Sequence, residues 1–144
     1  MAEETPRVIP YICCDGASDA IEFYKRAFGA EELYRLENPD GSLGHAEIKI
    51  GDSIVEISDE WPEGGIFSPL TLNGNSCTLT LVVEDTDSAF QRAVEAGAKQ
   101  QRPIKDEPYG RIGWVDDPFG HRWAIIKMAE DWDPEKMKEP TAPA

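Results

Sequence analysis

The chain has 144 residues, enough for one domain with a sizeable buried core, and 40 % of them are hydrophobic, the ordinary share for a globular protein. Its 28 acidic residues outnumber 14 basic ones, a formal net charge of −14, so its field repels phosphate backbones and anionic lipid surfaces and favours cationic ligands. Nucleic acid and membrane are excluded as expected partners, and the acidic start Met1-Ala2-Glu3-Glu4-Thr5-Pro6, with no apolar run of spanning length anywhere, predicts a cytoplasmic protein.

Residues 8–14 form a short apolar run rich in strand formers, which Asp15-Gly16 ends in a turn. Ser18 or Asp15 is placed to cap a helix whose apolar side is Ala20, Ile21, Phe23, Tyr24, Ala27 and Phe28, with Gly29 as its stop. Three strands follow, over residues 31–37, 43–50 and 53–58, joined by Asn38-Pro39-Asp40-Gly41 and Gly51-Asp52. In residues 45–50, Ala46, Ile48 and Ile50 alternate with His45, Glu47 and Lys49, which predicts one buried and one wet face. Residues 59–76 are rich in Pro and Gly and read as a long crossing loop. Its Trp61, Ile66, Phe67 and Leu70 make it a candidate lid or subunit contact.

The second half repeats this order: a strand at 78–83, a helix at 85–96 capped by Asp85 or Thr86, then strands at 98–104, 111–116 and 122–127. Gly29-Ala30 returns as Gly97-Ala98 at an offset of 68, Gly51 returns as Gly120, and Gly41 as Gly110. Recurring glycines at one spacing imply the same backbone turns twice over. The expected organisation is a tail at 1–6, one domain at 7–128 made of modules 7–58 and 77–128, and a polar tail at 129–144 with one helical turn around 134–138. The cysteines, Cys13, Cys14 and Cys77, are odd in number and lack a C-x-x-C spacing, so they read as reduced, buried thiols.

The order βαβββ-βαβββ, with the phrases DAIEFYKRAFGA at 19–30 and DPFGHRW at 117–123, resembles the glyoxalase/bleomycin-resistance/extradiol dioxygenase superfamily, the vicinal oxygen chelate fold. The phrases GHAEI at 44–48, SDE at 58–60 and VEDTD at 83–87 are similar to its PhnB-like branch. The resemblance implies an α+β fold in which each module curls into a partial barrel around a cavity in a mixed sheet. It also implies a homodimer whose cavities are shared across the interface. In metal-dependent members four ligands come from the first and fourth strands of each module, and the ion acts as a Lewis acid on two neighbouring substrate oxygens.

Carried onto this sequence, that ligand set is depleted. The first ligand falls near Ile9 and is missing; Glu56 occupies the fourth-strand position; only Cys77, Thr78 and Thr80 stand in the first strand of the second module; and Ala124 falls where the last carboxylate belongs. One carboxylate does not hold a catalytic divalent ion, so a metal cofactor is possible but not favoured. If His45 and His121 converged on Glu56, the three would make a two-histidine, one-carboxylate set. Glu56 has two readings: a solvent-facing group paired with a base such as Arg35, or a catalytic base in an apolar cavity. Tyr11, Trp61, Phe67, Tyr109, Trp114 and Trp123, with Arg111, are the candidate ligand-binding residues for a flat or apolar molecule. Arg111 lacks the Asp that precedes the corresponding arginine in the family's Y/W-G-D-R form. The leading expectation is a protein that binds an apolar or cationic small molecule without the usual metal. The alternative is a metal-dependent lyase or dioxygenase-like enzyme rearranged around Glu56. A methyltransferase would need a glycine-rich cofactor loop after a strand, and none is present.

Overall fold

The computed structural model describes residues 5–137; the expected N-terminal tail up to residue 4, and the end of the C-terminal tail with Lys138, lie outside the described residues. Strands β1 (Tyr11–Cys13), β2 (Glu31–Glu37), β3 (Leu43–Ile50) and β4 (Ser53–Ser58), with helix α1 (Ala17–Phe28), form the first module. A short helix α2 (Pro69–Leu72) lies in the crossing segment. Strands β5 (Thr78–Val82), β6 (Lys99–Glu107), β7 (Gly110–Asp116) and β8 (Arg122–Met128), with α3 (Thr86–Ala96), form the second module. Each module is an open, mixed four-stranded sheet with the order β1-β4-β3-β2 or β5-β8-β7-β6, the α+β arrangement expected. In each sheet the first strand runs parallel to the fourth and the other pairs are antiparallel.

Helix α1 buries Ala17, Ala20, Ile21, Phe23, Tyr24 and Ala27, a three-and-four spacing, against the inner face of the first sheet, where Ala46, Ile48, Val55 and Ile57 lie. Helix α3 packs on the second sheet and meets α1, so one core runs through both modules. Phe28 and Trp123 touch across the module boundary, with ring centroids 4.6 Å apart. Beside them buried Asp117 accepts hydrogen bonds from Tyr24 Oη at 2.5 Å and Trp123 Nε1 at 2.9 Å. Its other oxygen accepts from the backbone of Phe119 and His121. The DPFGHRW phrase is thus the hinge pin between the halves.

Several local expectations are corrected. Strand β1 spans three residues rather than seven, because Pro10 has no N–H to donate; its carbonyl instead accepts from Glu56 N. Neither Ser18 nor Asp15 caps α1. Gly16 is the N-cap, at φ 97°, and Asp59 Oδ1 supplies the acceptor for Gly16 N and Ala17 N at 3.0 and 2.9 Å. Strand β6 continues past Pro103 to Glu107. As the edge strand it tolerates a residue without an N–H, and two register shifts absorb the irregularity. Cys13 and Cys14 are buried free thiols, but Cys77 is exposed.

Candidate functional site

The outer face of the first sheet, away from α1, carries a straight row of four side chains. Tyr11 is the partner of Glu56, Glu56 of Glu47, and Glu47 of Tyr34, so one residue each from β1, β4, β3 and β2 stands in line. His45 shares this face, two residues before Glu47, and its ring lies between the two tyrosines. Nδ1 is 2.7 Å from Tyr11 Oη, and Nε2 is 2.9 Å from Tyr34 Oη and 3.4 Å from Glu56 Oε2. One ligand atom each from His45, Glu47 and Glu56 falls within 4.8 Å of the others.

The tyrosines keep their protons. A hydrogen bond to Glu47, with burial and the charge of that carboxylate, pushes Tyr34 up to about 12. Burial raises Tyr11, and the charge of Glu56 adds to it against a hydrogen bond with Ser58 that works the other way.

Beside this row a cavity of about 950 Å³ opens between the end of the first sheet and the crossing segment. Tyr11 and Cys13 form one side, Trp61 and Ile66 the other, and Asp40 and Glu60 contribute its charge. Among the described residues no Lys, Arg or His lines it. Asp59 is bound to backbone on three sides, with Leu43 N the third donor at 2.7 Å, and Glu60 accepts from Ser68 N at 2.8 Å, which holds its carboxyl below the usual range. Burial pushes the Cys13 thiol up to about 11, with the charges of Glu60, Asp59 and Asp15 adding to it, so Cys13 lines the cavity as a neutral, unreactive group. Trp61 closes on the loop through a bridge to Ile66, and its ring packs where a Cβ on Gly64 would sit, so only glycine fits there.

The remaining candidates are dispersed. His121 Nε2 bonds the Cys13 carbonyl at 2.7 Å, apart from the His45 cluster. Arg35 forks onto Glu32 at 2.6 and 3.1 Å and leaves Glu56 to His45. Arg111 is held by Asp87 at 2.8 Å and Asp106 at 3.0 Å, at the rim of the second sheet and outside the cavity. Tyr109 and Trp114 pack with Ile112, Ala124 and Ile126 on the outer face of the second sheet, where Arg102 stacks on Trp114 at 4.1 Å. Trp123 is in the core and lines a second cavity of about 910 Å³ between the modules; Phe67 lies in the crossing segment outside both cavities. Glu47 was the residue missed: period-two alternation places it with His45, yet the pattern does not distinguish a solvent face from the face of a site.

The family's metal does not fit its usual place. The β1 residue facing Glu56 is Tyr11, with Ile9 ahead of the strand, and the matching pair in the second module is Thr80 and Ala124. Of those four positions, only Glu56 carries an ordinary ligand.

The sheet order and the duplicated βαβββ module, two mixed four-stranded sheets each with one packed helix, define the fold class. The chain belongs to the Glyoxalase/Bleomycin resistance protein/Dioxygenase superfamily, whose family model matches residues 8–125. An uncharacterised protein of Mycobacterium bovis is 41% identical over 124 residues, 83% of this chain and 82% of its own length. The crystal structure of an Arabidopsis thaliana gene product superposes with a TM-score of 0.69 at 26% identity, covering 86% of this chain and all of that one. The PhnB protein of Bacillus cereus gives a TM-score of 0.62 at 19% identity over 85% of this chain and 99% of its own. Among the described residues no helix is long and apolar enough to cross a membrane.

Proposed function

We propose that this protein binds an organic cation with an aromatic or apolar body in the cavity between Tyr11 and Trp61. The observation that carries the reading is the lining: about 950 Å³ of space whose charged side chains are all acidic, set between two aromatic rings. The net charge of −14 draws cations toward it. Within the superfamily the phrases GHAEI, SDE and VEDTD support the PhnB-like branch. The working unit is a homodimer, a reading supported by the apolar outer face of the second sheet.

The test is a titration in EDTA with benzyltrimethylammonium, followed by tryptophan fluorescence, with benzoate as the anionic control. The cation binds and benzoate does not; Trp61→Ala weakens the cation by about 10-fold, the loss of one cation–π contact. Equal binding of benzoate, or an unchanged affinity in Trp61→Ala, overturns the reading. A second reading, an enzyme rearranged around Glu56, is favoured by the 3.4 Å approach of His45 to that carboxylate.

A further inference from the structure

We infer that His45, Glu47 and Glu56 form a divalent-metal site on β3 and β4, which keeps Glu56 from the four strand positions that the superfamily uses and takes its other two ligands from β3. Two independent observations carry this. The first is geometric: an imidazole nitrogen and two carboxylate oxygens lie within 4.8 Å of one another, the N/O donor set of Mn(II), Fe(II), Co(II) or Zn(II). The second is electrostatic. Glu47 and Glu56 are direct cross-strand partners, half-buried, and like charges opposite one another on a sheet destabilise it unless a cation stands between them. Among the described residues neither has a Lys or Arg within 4.0 Å; Lys49 shares the face, two residues along β3, without pairing to them.

The surroundings fit a metal-bound imidazole. Ligating histidines are oriented by a hydrogen bond at the other ring nitrogen, and Tyr11 Oη already lies 2.7 Å from Nδ1. With the ion at Nε2, Nδ1 carries the hydrogen and donates it to Tyr11 Oη, whose own hydrogen has the Gly44 carbonyl at 3.4 Å as acceptor. Tyr34 Oη, 2.9 Å from Nε2, is the group that gives way. Three protein ligands on one face leave coordination positions open toward solvent and toward the cavity that Tyr11 shares.

The experiment is titration of metal-free protein with Co(II), read by visible absorbance, and with Zn(II) by calorimetry. One equivalent binds; Glu47→Gln and His45→Gln each weaken it by at least about 100-fold, more than the loss of an outer-shell partner would. Thr80→Val, at a family position, leaves affinity unchanged. Circular dichroism checks that the variants fold. Mn(II) added to wild-type protein gives an answer that needs no variant: it broadens the imidazole resonances of His45 before those of His121. Absence of stoichiometric binding, binding that survives Glu47→Gln, or earlier broadening at His121 overturns the site. The readout is separate from that of the cavity: cation binding in EDTA with no metal site removes this inference alone, and a metal site without cation binding removes only the other.

Discussion

At the scale of single residues, one buried acid does structural work that no local pattern announces. Asp117 is 4% exposed, and its oxygens accept from Tyr24, Trp123, Phe119 and His121. Burial, reinforced by the charge of Asp117, in turn drives the Tyr24 hydroxyl well above the ordinary phenol range. Removing one partner from such a network leaves donors desolvated and unpaired, at about 1–3 kcal/mol each. Asp117→Ala is expected to lower stability by roughly 4 kcal/mol, since partial relaxation and water entry recover some of that loss. Urea unfolding followed by tryptophan fluorescence measures it, and a loss below about 1 kcal/mol would mean the network is not what joins the modules. The sequence showed Asp117 as part of a turn motif; its contact with Tyr24, 93 residues earlier, depends on how the two modules dock and has no signature in spacing.

The elements themselves were the legible part, because each rests on local physics: glycine stops, apolar spacing of three and four in both helices, alternation in β3. What escaped was set by partners distant in the chain. Helix α1 is capped by Asp59 from beyond β4, so a search for a capping side chain next to Gly16 could not find it. Strand β6 runs through Pro103 because it has only one neighbour, and an edge position is not visible in composition. Glu56 was identified by resemblance as a carboxylate in a strand of apolar neighbours, and His45 by its residue type. Their meeting with Glu47 and the two tyrosines follows from register, which links four strands in a row. The Asp59 cap gives a prediction at this scale. Asp59→Ala frees three backbone N–H groups at once, two at the positive end of α1 and one at the start of β3, and should cost about 2–3 kcal/mol. Hydrogen exchange locates the effect: protection should fall first at Gly16, Ala17 and Leu43, and a uniform loss across the chain would contradict the cap.

At the scale of the molecule, the two open faces differ in a way the duplicated sequence does not suggest. The first module's outer face carries carboxylates, phenols and an imidazole, while the second's carries the half-buried Tyr109 and Trp114 packed against the buried Ile112, Ala124 and Ile126, bordered by Val82 at 59% and Met128 at 47% exposure. The homodimer proposed above makes a second copy of the chain the expected occupant. Arg102, stacked over Trp114 on the apolar face, offers a cation to the acidic face of a partner, and the exposed Tyr11, Tyr34 and Leu36 there offer apolar contact. Self-association must also overcome repulsion between two chains of charge −14 each, and salt screens that repulsion over about 10 Å at 0.1 M. The expected outcome is a dimer by light scattering at micromolar concentration, with a dissociation constant that falls as salt is raised from low to physiological ionic strength. The double substitution Val82→Asp and Met128→Asp, at exposed positions away from the core, should yield a folded monomer with unchanged circular dichroism. A wild-type monomer at all salt concentrations, or a dimer indifferent to both substitutions, would show that this face is not the interface and that each chain works with its two faces open.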